Sequence, residues 1–431
     1  MKEQGKTMNE LLKTDRENIW HPFTPLRGQA EPQLIERAKG VWLYKPDGTR
    51  ILDGVSSWWV SMHGHSNEHI AKAVSHQVSE MEHVIFAGFT HKPAINLAAN
   101  LLSVLPDNQQ KVFFSDNGST AVEVGIKMAF QYWHNKGINK SKVVAIEGAY
   151  HGDTFGSMAV GERGSFNIPF EPYLFPVEFI PLPNNENEEA VIRQFKTLVD
   201  GGEVSSFIFE PLVQGSAGMR MYGAEILQKL VSIAKEAGVI CIADEVMTGF
   251  GRTGKMFATD YLEANPDIFC LSKGLTGGTM PMGITTASAE IVEAFDTDDI
   301  YKTFFHGHSY TGNPIACAAA NASFELTQQP VFKENITRIA SQHEQFKERI
   351  QTHPKLKVVR NLGTIIAMEL DLGTTSYMNK SRNAIYSFFM ERGILLRPLG
   401  NVVYILPPFI ITNDELETIY SAIEEFLDTL K

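Results

Sequence analysis

The sequence predicts an α/β protein with a mostly parallel sheet covered by helices, plus a smaller α+β domain. Short, continuously apolar runs recur along the chain, as expected of strands buried on both faces. Helix-length segments separate these runs, and strands that alternate with helices form parallel sheets. Beyond about Gln329 the pattern of apolar and polar residues along the chain changes. The strand-like runs are 111–114, 143–146, 207–209, 239–243 and 268–271.

The N-terminal part of the chain is polar, and we expect it to be loosely packed as far as residue 18. Pro46-Asp47-Gly48 is a turn signal between two short strands. After the strand-like run 111–114, apolar residues fall on one face of a predicted helix. These residues are Val122, Ile126, Phe130 and Trp133.

The C-terminal part combines a long helical stretch over 333–352, short apolar runs and a final helix from Asp414. We therefore predict three parts. Residues 1–62 form an N-terminal segment that contributes to the small domain, residues 63–328 form the large domain that carries the site, and residues 329–431 form the C-terminal small domain.

Composition excludes several classes of function. The 431 residues are 43% hydrophobic and carry a formal net charge of −12, which argues against nucleic-acid and anionic-membrane partners. No apolar run reaches the roughly 18 residues of a membrane span, and the N-terminus has no apolar signal region. Cys241, Cys270 and Cys317 are odd in number and lack metal-site or redox-motif spacing. We expect a cytoplasmic protein with small-molecule partners, and we assign no metal ligands.

Polar residues follow the strand-like runs where each run ends. In an open α/β sheet, ligands bind beyond the carboxyl ends of the strands. These residues should therefore lie together along that edge of the sheet, which we call the rim. The rim would contain a helix start able to hold an anion, an aromatic ring, carboxylates and a lysine. Its members are Gly118, Ser119, Tyr150, Glu210, Asp244 and Lys273.

Most members of the rim also have a plainer interpretation. Gly118 and Ser119 offer N–H groups and a hydroxyl at a helix N-terminus, which suits a phosphate, but a simple helix cap would use the same residues. Asp244 follows a buried strand and needs a donor or cationic partner, or else it ends the strand in a turn. Tyr150 could cover a flat ring or pack in the core. Glu210 is expected to be a structural acceptor.

Lys273 discriminates between these interpretations, because it stands where an apolar strand gives way to glycines. Desolvation and neighbouring positive charge lower the pKa of such a lysine, which can then form a Schiff base. A phosphate, a carbonyl to capture and a ring nitrogen for Asp244 belong to one cofactor, pyridoxal 5′-phosphate. Asp244 would keep the pyridine nitrogen protonated, and Lys273 would hold the aldehyde and move the substrate α-proton.

Two adjacent segments, ADEVMTGFGRTGKMFA and PDIFCLSKGLTGG, resemble the signature of the class III pyridoxal-phosphate aminotransferases. The match extends from Trp20 to Pro408 and implies the fold type I architecture. Further motifs resemble the members of this family that act in biotin synthesis. They imply amino transfer to 7-keto-8-aminopelargonic acid, with S-adenosylmethionine as the favoured donor and lysine as the alternative. These motifs are IWHPFTP, DGVSSWWVSMHGH, SDNGSTAVEVGIKMAFQYW, AYHGDTFG, FHGHSYTGNPIACAAA and LLRPLG.

The resemblance also implies a role for each site residue. Gly118 and Ser119 would bind the cofactor phosphate, together with Ser309 from the second subunit of a homodimer with shared active sites. Tyr150 would stack on the pyridoxal ring and contact substrate. The cofactor ring nitrogen would pair with Asp244, and Lys273 would hold the aldehyde.

Substrate binding is implied for Trp58, Gly307 and Arg397, with Arg397 as a bidentate clamp for a carboxylate. The implied site departs from the family pattern in two segments. Phe23 stands where many relatives have tyrosine, so a hydroxyl contact to substrate is missing. His308 and Ser309 stand where others have proline and threonine, which keeps the hydroxyl but changes the loop over the cofactor.

Two rival functions remain open from the sequence. An ω-amino acid aminotransferase or an aminomutase would keep the same fold and cofactor. A nucleotide-binding or interaction protein would use its glycine-rich loops to hold phosphates, but neither GxxxxGK[ST] nor a strand-linked GxGxxG is present.

Overall fold

The computed structural model describes residues 7–28, 31–164, 166–373, 375 and 378–430. The strands are β1 (Arg37–Lys39), β2 (Trp42–Tyr44), β3 (Arg50–Asp53), β4 (Gln109–Ser115), β5 (Lys142–Ile146), β6 (Glu178–Ile180), β7 (Val204–Phe209), β8 (Val213–Gln214), β9 (Arg220–Met221), β10 (Ile240–Asp244), β11 (Ile268–Leu271), β12 (Gly283–Ser288), β13 (Leu356–Leu362), β14 (Ile365–Leu370), β15 (Ile394–Leu395) and β16 (Val402–Ile405). The helices are α1 (Met8–Asn18), α2 (Ser56–Trp59), α3 (Glu68–Glu80), α4 (Lys92–Leu102), α5 (Gly118–Asn135), α6 (Phe155–Ala159), α7 (Glu188–Asp200), α8 (Ala224–Glu236), α9 (Ala289–Glu293), α10 (Pro314–Thr327), α11 (Pro330–Ile350), α12 (Ser381–Glu391) and α13 (Asn413–Thr429).

A seven-stranded sheet lies at the centre of the protein, in the order β4-β12-β11-β10-β7-β5-β6. Strands β11, β10, β7, β5 and β6 are parallel, whereas β12 runs antiparallel between β4 and β11. Each strand-like run of the sequence overlaps one of these strands. The predicted α/β fold class with a mostly parallel sheet is therefore confirmed.

Strand β12 is absent from the predicted set, because threonines interrupt its apolar pattern. All its residues are nevertheless buried. The hydroxyl of Thr285 donates to the carbonyl oxygen of Ala121 at 2.7 Å, and that of Thr286 donates to Oε1 of Gln109 at 2.7 Å. A buried hydroxyl with a partner is tolerated in a core, so polarity alone misleads the sequence reading here.

Both faces of the central sheet are covered. In β11, Ile268 and Cys270 belong to one hydrophobic cluster, while Phe269 and Leu271 belong to another. Successive side chains of a strand point to opposite faces, so the two clusters lie on the two sides of the sheet. Helix α5 supplies much of one cluster, and its predicted apolar face is buried there except for Phe130, which is partly buried.

Besides the two-stranded sheet β8-β9, two smaller sheets accompany the large one. One has the order β1-β2-β3-β15, in which β15 pairs in parallel with β3. The other has the order β13-β14-β16. Residues near the N-terminus thus share a sheet with residues near the C-terminus. The division at residues 62 and 328 itself stays a prediction.

The N-terminal region is more ordered than its polarity suggests. Helix α1 begins after Thr7, whose side chain accepts from the amide of Glu10 while the carboxylate of Glu10 accepts from the amide of Thr7. This reciprocal cap stabilises a helix start, although only Leu12 of α1 is buried. The first six residues of the predicted loose segment lie outside the described residues. Across the described part of the chain, no helix has the length and apolarity needed to cross a bilayer.

Candidate active site

A cavity of about 470 Å³ lies beside the carboxyl ends of β4, β7, β10 and β11. The lining of this cavity includes all six members of the predicted rim: Gly118, Ser119, Tyr150, Glu210, Asp244 and Lys273. The parallel strands carry these side chains or the loops that follow them to the same edge of the sheet. The predicted rim therefore exists as one cavity.

The start of α5 forms the anion-binding part of the cavity. Helix α5 begins at Gly118, and the preceding Asn117 caps it by accepting from the amide of Thr120 at 3.0 Å. Because Asn117 is the cap, Gly118 and Ser119 are not needed as caps. Amides in the first turn of a helix have no partner within that helix, so the start of α5 suits an anion. A Cβ atom at position 118 would lie 2.7 Å from Cγ1 of Val246, so any other residue there would force Val246 to shift.

Asp244 lies buried at the end of β10 with both carboxylate oxygens engaged. Its Oδ2 is 2.7 Å from Nδ1 of His151, and its Oδ1 accepts from the amide of Val246 at 3.1 Å. The other ring nitrogen of His151, Nε2, is buried and has no partner among the described residues. Sequence reasoning assigned no role to His151, although its position directly after Tyr150 was a usable signal.

Lys273 lines the cavity and is partly buried. Burial lowers the pKa of its amine, while the carboxylates of Asp244 and Glu210 oppose this effect. Its Nζ lies 5.0 Å from the centre of the Trp59 ring. A desolvated amine of lowered pKa is a competent nucleophile. The expected positive neighbour is not the cause, because the charges that act on Lys273 are carboxylates and desolvation lowers its pKa against them. Trp59 is a cavity residue that the sequence reasoning missed.

Tyr150 is held over the cavity through its backbone. Its amide donates to Oε1 of Glu210 at 3.0 Å, and the amide of Gly215 donates to Oε2 of the same carboxylate at 2.9 Å. Burial raises the pKa of Glu210 to about 7. Burial also raises the pKa of Tyr150, with a further contribution from Asp153. Glu210 thus acts as an acceptor for two backbone amides.

Trp58, Phe23 and Arg397 form a second group beside the cavity. The guanidinium carbon of Arg397 lies 4.2 Å from the centre of the Trp58 ring, and the rings of Phe23 and Trp58 are 5.7 Å apart. Phe166 extends this aromatic group, at 6.1 Å from Phe23, and was not predicted from the sequence. Within the described chain, Arg397 forms no ion pair with a carboxylate.

The two tryptophans reach these positions through an unusual turn. Helix α2 consists of four consecutive non-glycine residues with positive φ: Ser56 (49°), Ser57 (55°), Trp58 (114°) and Trp59 (73°). Each such residue costs on the order of 1–3 kcal/mol and persists only where its surroundings impose the conformation. Strain of this kind concentrates at functional sites.

Gly307, His308 and Ser309 do not line the cavity of their own chain. They lie in an irregular loop in which Gly307 and Ser309 are exposed. The amide of Tyr310 donates to Nδ1 of His308 at 3.2 Å, while the buried Nε2 of His308 finds no partner among the residues that the structure describes. Over the same residues, no group of three or more His, Cys, Asp or Glu side chains could hold a metal ion.

Comparisons with known proteins agree with this geometry. The family described as aminotransferase class-III matches residues 26–427. The chain is 46% identical over 421 residues to the adenosylmethionine-8-amino-7-oxononanoate aminotransferase of Synechococcus elongatus, covering 96% of this chain and 99% of that protein. The enzyme of the same name from Geobacter sulfurreducens is 38% identical, with 96% and 97% covered.

Solved structures give the same picture. The crystal structure of adenosylmethionine-8-amino-7-oxononanoate aminotransferase from Methanocaldococcus jannaschii has a TM-score of 0.91 at 36% identity, covering 97% of this chain and 99% of that one. An amine transaminase from an uncultivated Pseudomonas species, solved in its PLP-bound form, has a TM-score of 0.89 at 28% identity, with 96% and 99% covered.

Proposed function

The chain belongs to the class III aminotransferases, and we propose that it transfers an amino group to 7-keto-8-aminopelargonic acid, giving 7,8-diaminopelargonic acid in biotin synthesis. The resemblance carried by the sequence motifs is thereby confirmed at the level of the family. The names of relatives that cover nearly the whole chain support the choice of substrate. The rival interpretation as a nucleotide-binding module is wrong, because the chain is an aminotransferase.

Pyridoxal phosphate is the cofactor of this enzyme, and the cavity residues fit it. When bound, the cofactor supplies an aldehyde that accepts the amino group and a ring that takes up the electron pair of the broken C–H bond. The first turn of α5 suits a phosphate. Asp244 retains lone pairs for a ring N–H, since a carboxylate can accept about four hydrogen bonds and only two are filled.

The residues around the cofactor have distinct tasks in this proposal. Gly118 and Ser119 hold the phosphate, and Asp244, oriented by His151, holds the ring nitrogen. Tyr150 covers the ring. Lys273 would hold the aldehyde through Nζ and would move the proton of the substrate carbon that bears the amine. The lowered pKa of Lys273 supports this task, because only a neutral amine can accept that proton.

Recognition of the substrate carboxylate rests on one observation, the stacking of Arg397 on Trp58 at 4.2 Å. The guanidinium is half-buried and lacks a carboxylate partner among the described residues, so a ligand carboxylate would complete it. The apolar chain of the keto acid would lie along Trp58 and Phe23. This arrangement favours a long, carboxylate-bearing substrate over a small amine.

We propose S-adenosylmethionine as the amino donor, with lysine as the alternative. The donor in the names of the relatives supports this choice. Phe23 provides no hydroxyl, and His308 changes the loop that would lie over the cofactor. A protonated His308 would repel a cationic sulfonium, which is why lysine remains the second candidate.

We also propose a cytoplasmic homodimer in which each site is completed by the partner chain. Gly307, His308 and Ser309 support this proposal, because they do not line the cavity of their own chain. Nearby aromatic residues are exposed, with Phe305 and Tyr310 each at 66%. Such exposed apolar surface is typical of an interface. The free, buried cysteines Cys241, Cys270 and Cys317 are consistent with a reducing compartment.

A half-reaction experiment tests both the function and the donor. The yellow, cofactor-loaded protein is mixed separately with S-adenosylmethionine and with lysine, and loss of the yellow absorbance is followed. The keto acid is then added, and diaminopelargonic acid is measured by mass spectrometry. We expect S-adenosylmethionine to bleach the colour and the product to form. Bleaching by lysine alone would overturn the donor, and absence of product with either amine would overturn the substrate.

A further inference from the structure

The left-handed turn α2 is held by a buried carboxylate that faces its middle residues. Oδ1 of Asp53 accepts from the amides of Val55 at 3.1 Å and Ser57 at 3.0 Å. Oδ2 accepts from the hydroxyl of Ser57 at 2.9 Å and lies 2.8 Å from Nε2 of His65. The carboxylate of Asp53 is fully buried, so these four contacts satisfy a group that would otherwise be costly to bury.

His65 is itself fixed in place by its backbone. Its amide donates to the carbonyl oxygen of Gly40 at 2.7 Å, and the amide of Gly40 donates back to the carbonyl oxygen of His65 at 3.0 Å. Its side chain is 13% exposed. Because carboxylate oxygens only accept, the imidazole donates from Nε2 to Asp53. The pair therefore links the turn to the β1–β2 region.

The ends of the turn have separate anchors. The hydroxyl of Ser56 donates to the carbonyl oxygen of Leu406 at 2.9 Å, and Nε1 of Trp59 donates to the hydroxyl of Tyr404 at 2.9 Å. The middle of the turn is held at Ser57 by the carboxylate of Asp53 and also by His65, whose Nε2 lies 3.4 Å from the hydroxyl oxygen of Ser57. Trp58 follows Ser57 directly, with a φ of 114°. Loosening Asp53 should therefore release Trp58 more than Trp59.

We propose that Asp53 and His65 are positioning residues for the substrate carboxylate. They hold the turn in the conformation that carries the Trp58 ring to Arg397, so that indole and guanidinium form one preorganised surface. This inference rests on the proposed function, since Arg397 is taken as the carboxylate clamp. It assigns to two residues outside the cavity lining a role in substrate affinity, separate from cofactor loading at Lys273.

The test compares His65→Leu, which removes the donor, with His65→Gln, which retains an N–H group. In His65→Leu we expect KM for the keto acid to rise about tenfold, the scale of a lost hydrogen bond to a charged group, while kcat changes less. His65→Gln should recover most of the loss. Borohydride should fix the cofactor to Lys273 equally in all variants. His69→Leu, which breaks the exposed pair between His69 and Glu325 (2.7 Å), is the matched control and should leave KM unchanged.

A double-mutant cycle decides whether the effect passes through the clamp. In an Arg397→Ala background, His65→Leu should no longer change kcat/KM, because the surface it supports is already lost. An equal loss in both backgrounds, or loss of cofactor fixation with KM unchanged, would overturn the proposal. Should His65→Leu not fold, Ser57→Ala removes one contact to Asp53 at an exposed position. It should raise KM in the same direction, and an unchanged KM would count against the clamp.

Amide exchange separates this proposal from the proposed function. Peptides covering residues 54–60 should exchange faster in His65→Leu than in the parent, with or without cofactor. If the parent transfers no amino group to the keto acid, the proposed function fails, and exchange alone decides whether Asp53 and His65 hold the turn. Unchanged exchange in His65→Leu would show that they do not.

Discussion

Nδ1 of His151 lies 2.7 Å from Oδ2 of Asp244, and both side chains are buried beside the cavity. The imidazole fixes the orientation of the carboxylate by a hydrogen bond to one of its two oxygens, Oδ2. The amide of Val246 donates to the other oxygen, Oδ1, at 3.1 Å. In the role proposed for Asp244, a carboxylate held in this way would receive a ring N–H without rearrangement, which is the condition for effective electrostatic stabilisation.

Asp244→Asn should lower kcat by about a hundredfold or more, the scale of removing one preorganised electrostatic contact. A neutral amide cannot stabilise the protonated ring nitrogen, so the ring takes up electrons poorly. Asp267→Asn is a suitable control, because Asp267 is a buried carboxylate that pairs with Lys235 just before β11 and does not line the cavity. Its kcat should stay close to that of the parent. Parental rates in Asp244→Asn would remove Asp244 from the mechanism.

Lys273→Ala should bind the cofactor yet lose turnover by roughly 10²–10⁴-fold, the range that a positioned proton-transfer group contributes. The proposed phosphate and ring-nitrogen contacts do not involve Lys273, so we expect cofactor binding to persist. Single-turnover absorbance measurements follow the reaction, and borohydride treatment with peptide mapping locates the cofactor. Near-normal turnover, or fixation of the cofactor at another lysine in the parent, would contradict the assignment.

The pH dependence of cofactor uptake should reflect the lowered pKa of Lys273. In the unfolded chain this amine stays protonated up to its ordinary pKa of 10.5, whereas burial makes the folded chain release the proton at lower pH. Between the lowered pKa of the folded state and the ordinary pKa of the unfolded state, the folded state binds fewer protons than the unfolded one. The free energy of unfolding of the cofactor-free protein therefore rises with pH in that window. The fraction of the Lys273 amine that is neutral, and therefore reactive, also rises with pH. The borohydride-trapped rate should therefore level off below pH 10.5. Free lysine serves as the reference. If the pH midpoint of the trapped rate were the same for the protein as for free lysine, the expectation would be wrong.

Arg397→Ala should weaken the transition state for the keto acid by about 2 kcal/mol or more, roughly thirtyfold in kcat/KM. The loss leaves the substrate carboxylate without its partner. Arg392→Ala is the matched control, because Arg392 lies a few residues before Arg397 and forms a surface ion pair with Glu425. Surface pairs contribute about 0–1 kcal/mol to stability. Equal kcat/KM in Arg397→Ala and the parent would return Arg397 to a structural role.

Mixing Lys273→Ala with Ser309→Ala chains should give more activity than the two proteins measured apart. If Ser309 completes the site of the partner chain, each mixed dimer contains one site with both parental residues. Subunit exchange is verified with differently tagged chains. Activity no greater than the sum of the separate proteins, under demonstrated exchange, would argue against shared sites.

Much of the site could be predicted because its residues occupy the ends of apolar runs. A run such as 268–271 is visible as a buried strand, and the polar residue that follows a parallel strand must lie at the ligand-binding edge of the sheet. Lys273 and Asp244 were therefore identifiable from position and residue type. The threonine-containing strand β12 was not, because its hydroxyls find partners only once Gln109 and α5 are in place.

The sequence by itself determined the fold class, the edge of the sheet that carries the chemistry and, through its motifs, the family. Periodicity and residue type carry that information locally. Only the tertiary structure decided which distant residues meet: His151 with Asp244, Trp58 with Arg397, and Asp53 with His65. It also decided that the turn at Trp58 is left-handed, a conformation that no local preference of Ser56, Ser57 or the tryptophans favours. The reason is physical, since that strain is stable only when contacts from remote parts of the chain impose it.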